Sequence, residues 1–373
     1  MKIITWRQAL RRWQLYLLVL PSLALILTFS YFPAASAIYH AFFRWNGDEV
    51  SEWVGLENFW TAVNDKVLLL SFGLVGILIV SNLVKMIPSI ITAVVIHRLA
   101  SERWRYLYRV AFVIPMIIPG MVWLLIWKYF YDPTVGVLNS LLDSTGLMPL
   151  LQWMDSSSGL PAAAAALGPY RAWLWVLAAA GAVVLVIGRR RESAAKWAGL
   201  AAMVAGGLLL GAVYAWPQTT GAFNTGAPAW LGQAELVVPA LIFWGFPWVG
   251  VVSVLLYLAG LGNIGQDIYD AAEIDGCGWF RKFWNIELPL ITTQVRLNLI
   301  LMIIGTLQGW GLIFILLGDN GGPNGAGMVP GLYMFRKAFS DMEAGYACAI
   351  GLLLFFLTLI LTVINNRYVR VSK

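Results

Sequence analysis

The feature that most constrains this chain is its series of apolar stretches, several of them longer than the ~18 residues that mark a candidate transmembrane helix. Hydrophobic residues make up 60% of the 373 residues and charged residues only 12%, whereas ordinary soluble proteins carry roughly 25% charged residues. A soluble chain of this length could not cover so much apolar surface with so few charges. The composition therefore predicts an all-α fold, a polytopic membrane protein.

Hydropathy and charge together predict the topology. We expect about eight transmembrane helices, at approximately 15–40, 69–96, 106–130, 172–188, 197–215, 236–260, 293–317 and 345–366. Lys and Arg are concentrated in alternate loops and at both ends of the chain, which indicates that those segments face the cytoplasm. Both termini are therefore predicted to be cytoplasmic. The same charges account for the net charge of +6, so a nucleic-acid-binding surface is not indicated.

The first apolar stretch has an alternative interpretation as a secretory signal. Basic residues precede the apolar run from Leu15 to Phe32, and Ala35-Ser36-Ala37 fits a cleavage site. The run is longer than the apolar region of a usual signal peptide, which favours an uncleaved first span. Cys277 and Cys348 fall in a cytoplasmic loop and at the start of the last span, so no disulfide framework is predicted.

Residues 168–216 are predicted to be an inserted two-helix hairpin. They are rich in Ala, Gly, Leu and Val and surround the basic turn Arg189–Glu192. Two spans added together leave the orientation of all later spans unchanged, and their small residues suit close helix packing in lipid. The chain is therefore divided into an N-terminal part of the membrane core (1–167), the hairpin (168–216) and a C-terminal part (217–373), and we expect the hairpin to serve in packing or partner docking.

The polar loop 261–292, between two apolar segments, is the main candidate for a functional site. Residues 266–276 predict a short helix with Ile268, Ala271 and Ala272 on one apolar face and Gly276 at its left-handed end. A helix lying on the membrane surface is the alternative, but such helices usually carry Lys and Arg. This loop is acidic instead, which favours docking to a protein. Its charged residues are Asp267, Asp270, Glu273, Asp275 and Glu287 against Arg281 and Lys282.

The order and spacing of residues in this loop resemble the signature of permease subunits of type I ABC importers. Asp270-Ala271-Ala272 is followed after three residues by Gly276, and after nine more by Ile286, Leu288 and Pro289. The one departure is Asp270, where the family usually has Glu. Further stretches resemble landmarks of the sugar permease group within that family. They are Trp53–Phe59, Asp132–Asn139, Leu258–Leu261 and Gly321–Pro323.

The resemblance implies a six-helix core in the cytoplasmic (inner) membrane of a prokaryote and a role for each part of the loop. Asp270, Ala271, Ala272 and Gly276 would form the element that couples to an ATPase subunit, and Ile286, Leu288 and Pro289 its structural end. The implied partners are an ABC ATPase subunit (usually two copies), a second homologous permease and an extracytoplasmic solute-binding protein.

The chain is not expected to bind a cofactor itself. A phosphate-binding P-loop needs Gly directly before Lys, and no Lys in the sequence follows a Gly. ATP and Mg are therefore expected on the partner ATPase. The solute expected from the resemblance is a sugar, oligosaccharide or polyol, moved by alternating access.

Polar residues inside predicted spans are candidates for the solute path, since such residues are costly in lipid. Asn82 and Lys85 share one stripe of the second span; Lys85 would face the path or a companion subunit, or would extend to the membrane edge, and both interpretations stay open. Gln308 and Trp310 suit sugar contact, although interhelical hydrogen bonding and interfacial packing are the favoured interpretation there. The same alternative applies to Trp244 and Trp248.

Other functional classes have less support. No paired catalytic acids and no nucleophile–His set are present, and His40 and His97 are isolated, so neither an enzyme nor a metal site is predicted. An ion-gradient-driven secondary transporter would need carboxylates within its spans, and none is predicted mid-span. A non-transporting scaffold stays open.

Overall fold

A computed structural model describes residues 13–48, 50–187, 201–203, 205–206, 220–224 and 226–368. Helices dominate, and the chain forms two compact units. The first comprises Met1–Ile118 with Gly245–Lys373, and the second comprises Pro119–Trp244. The predicted loop 261–292 belongs entirely to the first unit.

Three helices of the first unit are long and apolar enough to cross a membrane. Helix α1 (Trp13–Ile26) continues through a π-helical turn (Leu27–Tyr31) into α2 (Phe32–His40), and Leu17–His40 forms the first of the three. Helix α4 (Lys66–His97) has 32 residues and is about 48 Å long at 1.5 Å per residue, so its ends extend beyond a ~30 Å hydrocarbon core. The third lies in α19 (Ala344–Tyr368).

Three further candidates are pairs of helices separated by a sharp bend. The first is α5 (Glu102–Val113, extended by a 3₁₀ turn, Ile114–Ile117) with α6 (Gly120–Phe130). The second is α12 (Val251–Leu261) with α13 (Gln266–Ile274), bent by 75°. The third is the segment Trp279–Leu290, which contains α14 and α15, with α16 (Thr292–Gln308), bent by 67°. Counting each pair as one span gives up to six crossings among the described residues. The polytopic helical fold is thus confirmed, while the count of eight spans and the side of the termini stay predictions.

Besides the predicted span 106–130, which is divided into α5 and α6, two further spans that were predicted as continuous are interrupted in the structure. The segment 236–260 is divided into α11 (Ala234–Phe243) and α12, and 293–317 into α16 and α17 (Gly311–Leu317). The first break contains Gly245, with φ +79°, and Pro247 after a cis peptide bond. The second contains Gly309, whose missing side chain leaves room for the Gly305 carbonyl oxygen. Glycine and proline disfavour a continuous helix, so these residues are the physical reason for both breaks.

Short elements of the first unit join its spans. Strands β1 (Phe43–Trp45) and β2 (Val50–Trp53) pair antiparallel and lead into α3 (Glu57–Asn64). Asn58 donates hydrogen bonds to the carbonyl oxygens of Ala41 (2.9 Å) and Phe43 (3.0 Å), which anchors the Trp53–Phe59 landmark to the strand. After α17 come a 3₁₀ turn (Pro323–Gly325) and α18 (Pro330–Phe339).

The second unit is built around α6 and α11. Between them lie α7 (Val137–Ser144), α8 (Leu147–Asp155), α9 (Leu160–Leu167), a 3₁₀ turn (Gly168–Tyr170) and α10 (Arg171–Ile187). The Tyr131 hydroxyl donates to the Ala240 carbonyl at 2.8 Å within the buried core. Most of the predicted hairpin beyond α10, including its basic turn, lies outside the described residues. The hairpin and the three-part division therefore stay predictions.

The core of the first unit lies beside the loop. The second half of α4 packs against α12 through Ile90, Val94, Val254 and Tyr257, together with the fully buried Ile291. A methyl group at Gly260 would lie 2.6 Å from Cδ of Gln294 on α16. The Leu258–Leu261 landmark therefore contains the glycine that lets α12 and α16 approach closely.

Candidate functional site

The loop 261–292 contains the short helix that its sequence predicts. Helix α13 spans Gln266–Ile274, with Asp267 in its first turn, where a negative charge interacts favourably with the helix dipole. The Gln266 amide donates to Asp270 Oδ1 at 3.0 Å, one turn along. Asp270 itself is exposed.

Gly276 has the predicted left-handed conformation, with φ +67°. The Cys277 amide donates to the Ala272 carbonyl at 2.8 Å, and the Gly276 amide to the Glu273 carbonyl at 3.0 Å. These bonds close the helix end in the pattern typical of a glycine cap. Among the described residues, no heavy atom lies within 4 Å of a methyl group placed on Gly276, so inside this chain glycine is required by backbone conformation alone.

Only part of the predicted apolar face of α13 is buried against the rest of the chain, and the other part is exposed to solvent. Ala272 is 6% exposed and packs against the chain itself, whereas Ile268 and Ala271 are exposed. Burial of Ala272 holds α13 on its own unit. The helical pattern showed which residues share a side of the helix, but not which side meets the chain.

A group of exposed apolar side chains on the loop escaped the sequence analysis. We call it the loop surface: Ile274, Trp279, Phe280 and Trp284, with exposed fractions of 87%, 46%, 73% and 60%. Large apolar groups exposed together mark an interaction surface. The signal that could have revealed it is the density of aromatic residues between 279 and 284 within an otherwise polar loop.

The end of the signature is anchored in the core. Leu288 and Phe283 pack against the cluster that contains Ile291, Ile286 is half-buried and Pro289 is exposed. Phe283–Glu287 form a π-helical turn between α14 (Trp279–Lys282) and α15 (Leu288–Leu290). Lys282 binds Glu273 at 2.6 Å, which ties this second part of the loop to α13.

A buried ion pair fastens the loop to the end of α4. Arg98 directly follows α4, and its Nε and Nη2 atoms donate to Glu287 Oε1 and Oε2, both at 2.7 Å. The guanidinium also lies 4.6 Å over the Trp279 ring. Glu287 occupies the position between Ile286 and Leu288 to which the signature assigns no residue type. No local sequence pattern could have revealed the pair, because its members are 189 residues apart.

The residues predicted for the solute path lie within α4 (Asn82 and Lys85) and at or just beyond the end of α16 (Gln308 and Trp310) in the first unit. Asn82 on α4 donates to Thr306 Oγ1 on α16 at 3.0 Å, which is interhelical hydrogen bonding. Lys85 is half-buried, with Nζ 6.0 Å from the Trp248 ring. Gln308 is exposed at the end of α16, and Trp310 stacks on Phe335 with ring centroids 4.5 Å apart. The roles of all four in transport stay predictions.

The other titratable groups form no metal site within the described ranges, where no cluster of three His, Cys, Asp or Glu residues could hold an ion. Cys277 and Cys348 are both free thiols.

The chain matches no protein-family model. It is 37% identical over 103 residues to a putative ABC transporter permease of Caldicellulosiruptor sp., covering 28% of this chain and 72% of that protein. It is 25% identical to the diacetylchitobiose uptake system permease of Streptomyces coelicolor, covering 91% of this chain and 77% of the relative.

The fold has a counterpart among solved structures. A chain of the bacterial alginate ABC transporter, in complex with a periplasmic protein bound to an alginate pentasaccharide, superposes with a TM-score of 0.64 at 17% identity. The match covers 98% of this chain and 96% of that chain. Together with the loop signature and the identity to the Caldicellulosiruptor protein, it leads to one conclusion: the chain belongs to the ABC transporter permeases, the membrane subunits that carry out transport.

Proposed function

We propose that this chain is the permease subunit of an ATP-driven importer that moves a sugar, oligosaccharide or polyol into the cytoplasm by alternating access. The observation that carries the proposal is the loop 261–292, which combines the family signature, with Asp270 as its one departure, and exposed apolar side chains. The carbohydrate substrate is supported by the names of its relatives, one for diacetylchitobiose and one for alginate. An ion gradient as the energy source gains no support from these relatives.

The loop surface is the contact for the ATPase. Ile274 is the most exposed of its members; Asp275 directly follows it, Asp270 lies one helical turn before it, and both acidic residues are also exposed. A lipid-facing surface would favour basic residues at its edge, so this combination suits a protein partner. ATP and Mg then bind to that separate subunit, usually present in two copies, and its closure displaces α13.

The remaining assembly follows from the same proposal. Both termini are cytoplasmic, and eight spans in the inner membrane comprise a six-helix core and the inserted hairpin 168–216. A second homologous permease completes the path, and an extracytoplasmic binding protein delivers the solute. The alginate transporter solved with a periplasmic protein supports this last partner.

The path itself is proposed to pass α4 and α16. Asn82 and Thr306 place hydrogen-bonding groups between these helices, and Lys85 lies beside Trp248. Gln308 and Trp310 offer an amide and an aromatic face near the end of α16. Such groups suit contact with sugar hydroxyls and sugar ring faces.

The proposal is tested by purifying the tagged chain from its native membrane in mild detergent and identifying the proteins that accompany it. We expect a P-loop ATPase and a second permease, and we expect the ATPase to be lost when the loop surface is altered by Phe280→Asp. The solute is then sought by thermal shift of the associated binding protein with sugars, polyols and amino acids. A folded chain recovered alone would favour a secondary transporter or a scaffold.

A further inference from the structure

The ion pair between Arg98 and Glu287 has the geometry of a rigid joint. Both nitrogen–oxygen distances are 2.7 Å, and two parallel bonds fix orientation as well as distance. The Glu287 side chain is fully buried, and that of Arg98 is 17% exposed. Because a buried carboxylate that loses its partner is strongly destabilising, the two charges stay together.

Arg98 contacts several separate parts of the loop at once. It holds Glu287 in the π-helical turn, and it donates to the Trp279 carbonyl at the start of α14 at 3.2 Å. Through Glu287 it also reaches α13, because the Tyr269 hydroxyl donates to Glu287 Oε1 at 3.4 Å. One side chain at the end of α4 therefore connects to each of the three consecutive segments of the loop.

The helix that carries Arg98 extends far beyond the joint. Helix α4 runs without a break from Lys66 to His97 and carries Asn82 and Lys85. Its second half also packs against α12, which leads into the loop. A displacement of the loop would therefore be passed to the second half of α4, from Arg98 up to Pro88, which lies one turn from Lys85.

We propose that Arg98 and Glu287 are positioning residues for coupling: they hold the loop on the inner end of α4, so that loop and helix move as one body when the ATPase closes. The proposal rests on the proposed function for the source of the motion, but the joint itself is a property of this chain. Glu287 thereby acquires a role at a position to which the family signature assigns none.

The test measures the distance between spin labels on the two parts. One label is placed on the native Cys277 of the loop and the other on Ala100→Cys beyond α4, in a Cys348→Ser background. The complex in lipid nanodiscs is measured without nucleotide and with ATP plus vanadate. For the parent we expect a narrow distance distribution that is the same in both states.

Glu287→Gln keeps the size of the side chain and removes its charge. We expect a broadened distribution without nucleotide and a shift of several ångströms with ATP plus vanadate, because the loop then moves without α4. The charge exchange Arg98→Glu with Glu287→Arg should restore the narrow, unshifted distribution. Lys282→Gln is the matched control, since the pair of Lys282 and Glu273 lies within the loop; it should behave as the parent.

The outcomes separate the joint from the proposed function. A parent distance that changes with nucleotide, or a Glu287→Gln variant as narrow and unshifted as Lys282→Gln, would overturn the joint. If no ATPase accompanies the parent chain, the proposed function fails. The width of the distance distribution between the two labels, measured in the chain alone, still tests the joint. Should Glu287→Gln not fold, Arg98→Lys, which keeps the charge but loses the paired bonds, must show the broadening.

Discussion

Asp65, at the start of α4, is predicted to hold three helices together. Its Oδ1 atom accepts hydrogen bonds from the amides of Val67 (2.9 Å) and Leu68 (3.2 Å) and so caps α4. Its Oδ2 atom accepts from the hydroxyls of Tyr333 on α18 (2.6 Å) and Tyr346 on α19 (2.8 Å). Asp65→Ala removes all four acceptor contacts at once.

The size of the loss follows from these contacts. A helix cap contributes about 1 kcal/mol, and a hydrogen bond to a charged group about 1.5 kcal/mol at the low end. Both tyrosines are 7% exposed, so water does not readily replace the lost acceptor. The free energy of unfolding should therefore fall by about 4 kcal/mol, which corresponds to roughly 5 °C in melting temperature for a chain of 373 residues.

The effect of Asp65 depends on pH in a defined direction. Burial raises the pKa of its carboxyl group, but the hydrogen bonds from Tyr333, Tyr346 and the two amides outweigh burial and leave the pKa below its ordinary value of 3.8. A lowered pKa in the folded state stabilises the fold above the ordinary value, and this stabilisation is lost as the pH falls through the folded-state pKa. The difference between parent and Asp65→Ala should thus be complete at neutral pH and shrink below about pH 4.

The assay is thermal melting of the purified chain in detergent, followed by size-exclusion chromatography. Asp48→Ala, at an exposed aspartate of the hairpin between β1 and β2, is the matched control and should change stability by less than about 0.5 kcal/mol. Tyr346→Phe should lower the free energy of unfolding by about a third as much as Asp65→Ala does, since it removes only one of the two tyrosine hydrogen bonds. An Asp65→Ala protein that melts at the same temperature as the Asp48→Ala control would show that these four contacts do not stabilise the fold.

Three further predictions concern the loop and its support. Gly276→Val should abolish recovery of the ATPase with the chain, because a β-branched residue is strained at φ +67°. Gly276→Asn should still recover the ATPase, since Asn tolerates that conformation. Equal recovery with both variants would contradict the conformational argument. Ile274→Asp should leave the melting temperature unchanged, since the residue is 87% exposed, while lowering ATPase affinity about tenfold or more (~1.4 kcal/mol); unchanged binding in a titration would remove Ile274 from the contact. Gly260→Ala should destabilise by about 1–3 kcal/mol through overpacking, and Gln294→Ala in the same chain should recover part of that loss in melting experiments; no recovery would mean that the close approach is not the cause.

The features that could be predicted from the sequence are the local ones. The helix Gln266–Ile274 and the conformation of Gly276 depend on neighbouring residues, and their spacing carries that information. Membrane spans could be located because hydropathy reports the environment of a segment. Hydropathy does not report helix continuity, so the breaks around Pro119, Pro247 and Gly309 were missed although these residues are visible in the sequence.

The parts that sequence could not supply are the contacts between distant segments. Arg98 and Glu287 are 189 residues apart, and Asp65 meets Tyr346 across 281 residues. The residues that flank Arg98, Glu287 and Asp65 in sequence do not distinguish these three from ordinary charged residues of a loop. Likewise, the burial of Ala272 and the exposure of Ile274 depend on which side of α13 meets the rest of the unit.

Site-specific photocrosslinking in the native membrane from position 274 tests directly whether the loop contacts the ATPase. The photoreactive residue replaces Ile274 in the loop, or Trp60, which is 67% exposed on α3 and is predicted to lie on the outer side, and the adducts are identified by mass spectrometry. We expect an adduct with a P-loop ATPase from position 274 and none from position 60. An inserted, folded chain that gives no such adduct from position 274, or gives it equally from both positions, would contradict the claim that this loop couples the permease to ATP hydrolysis.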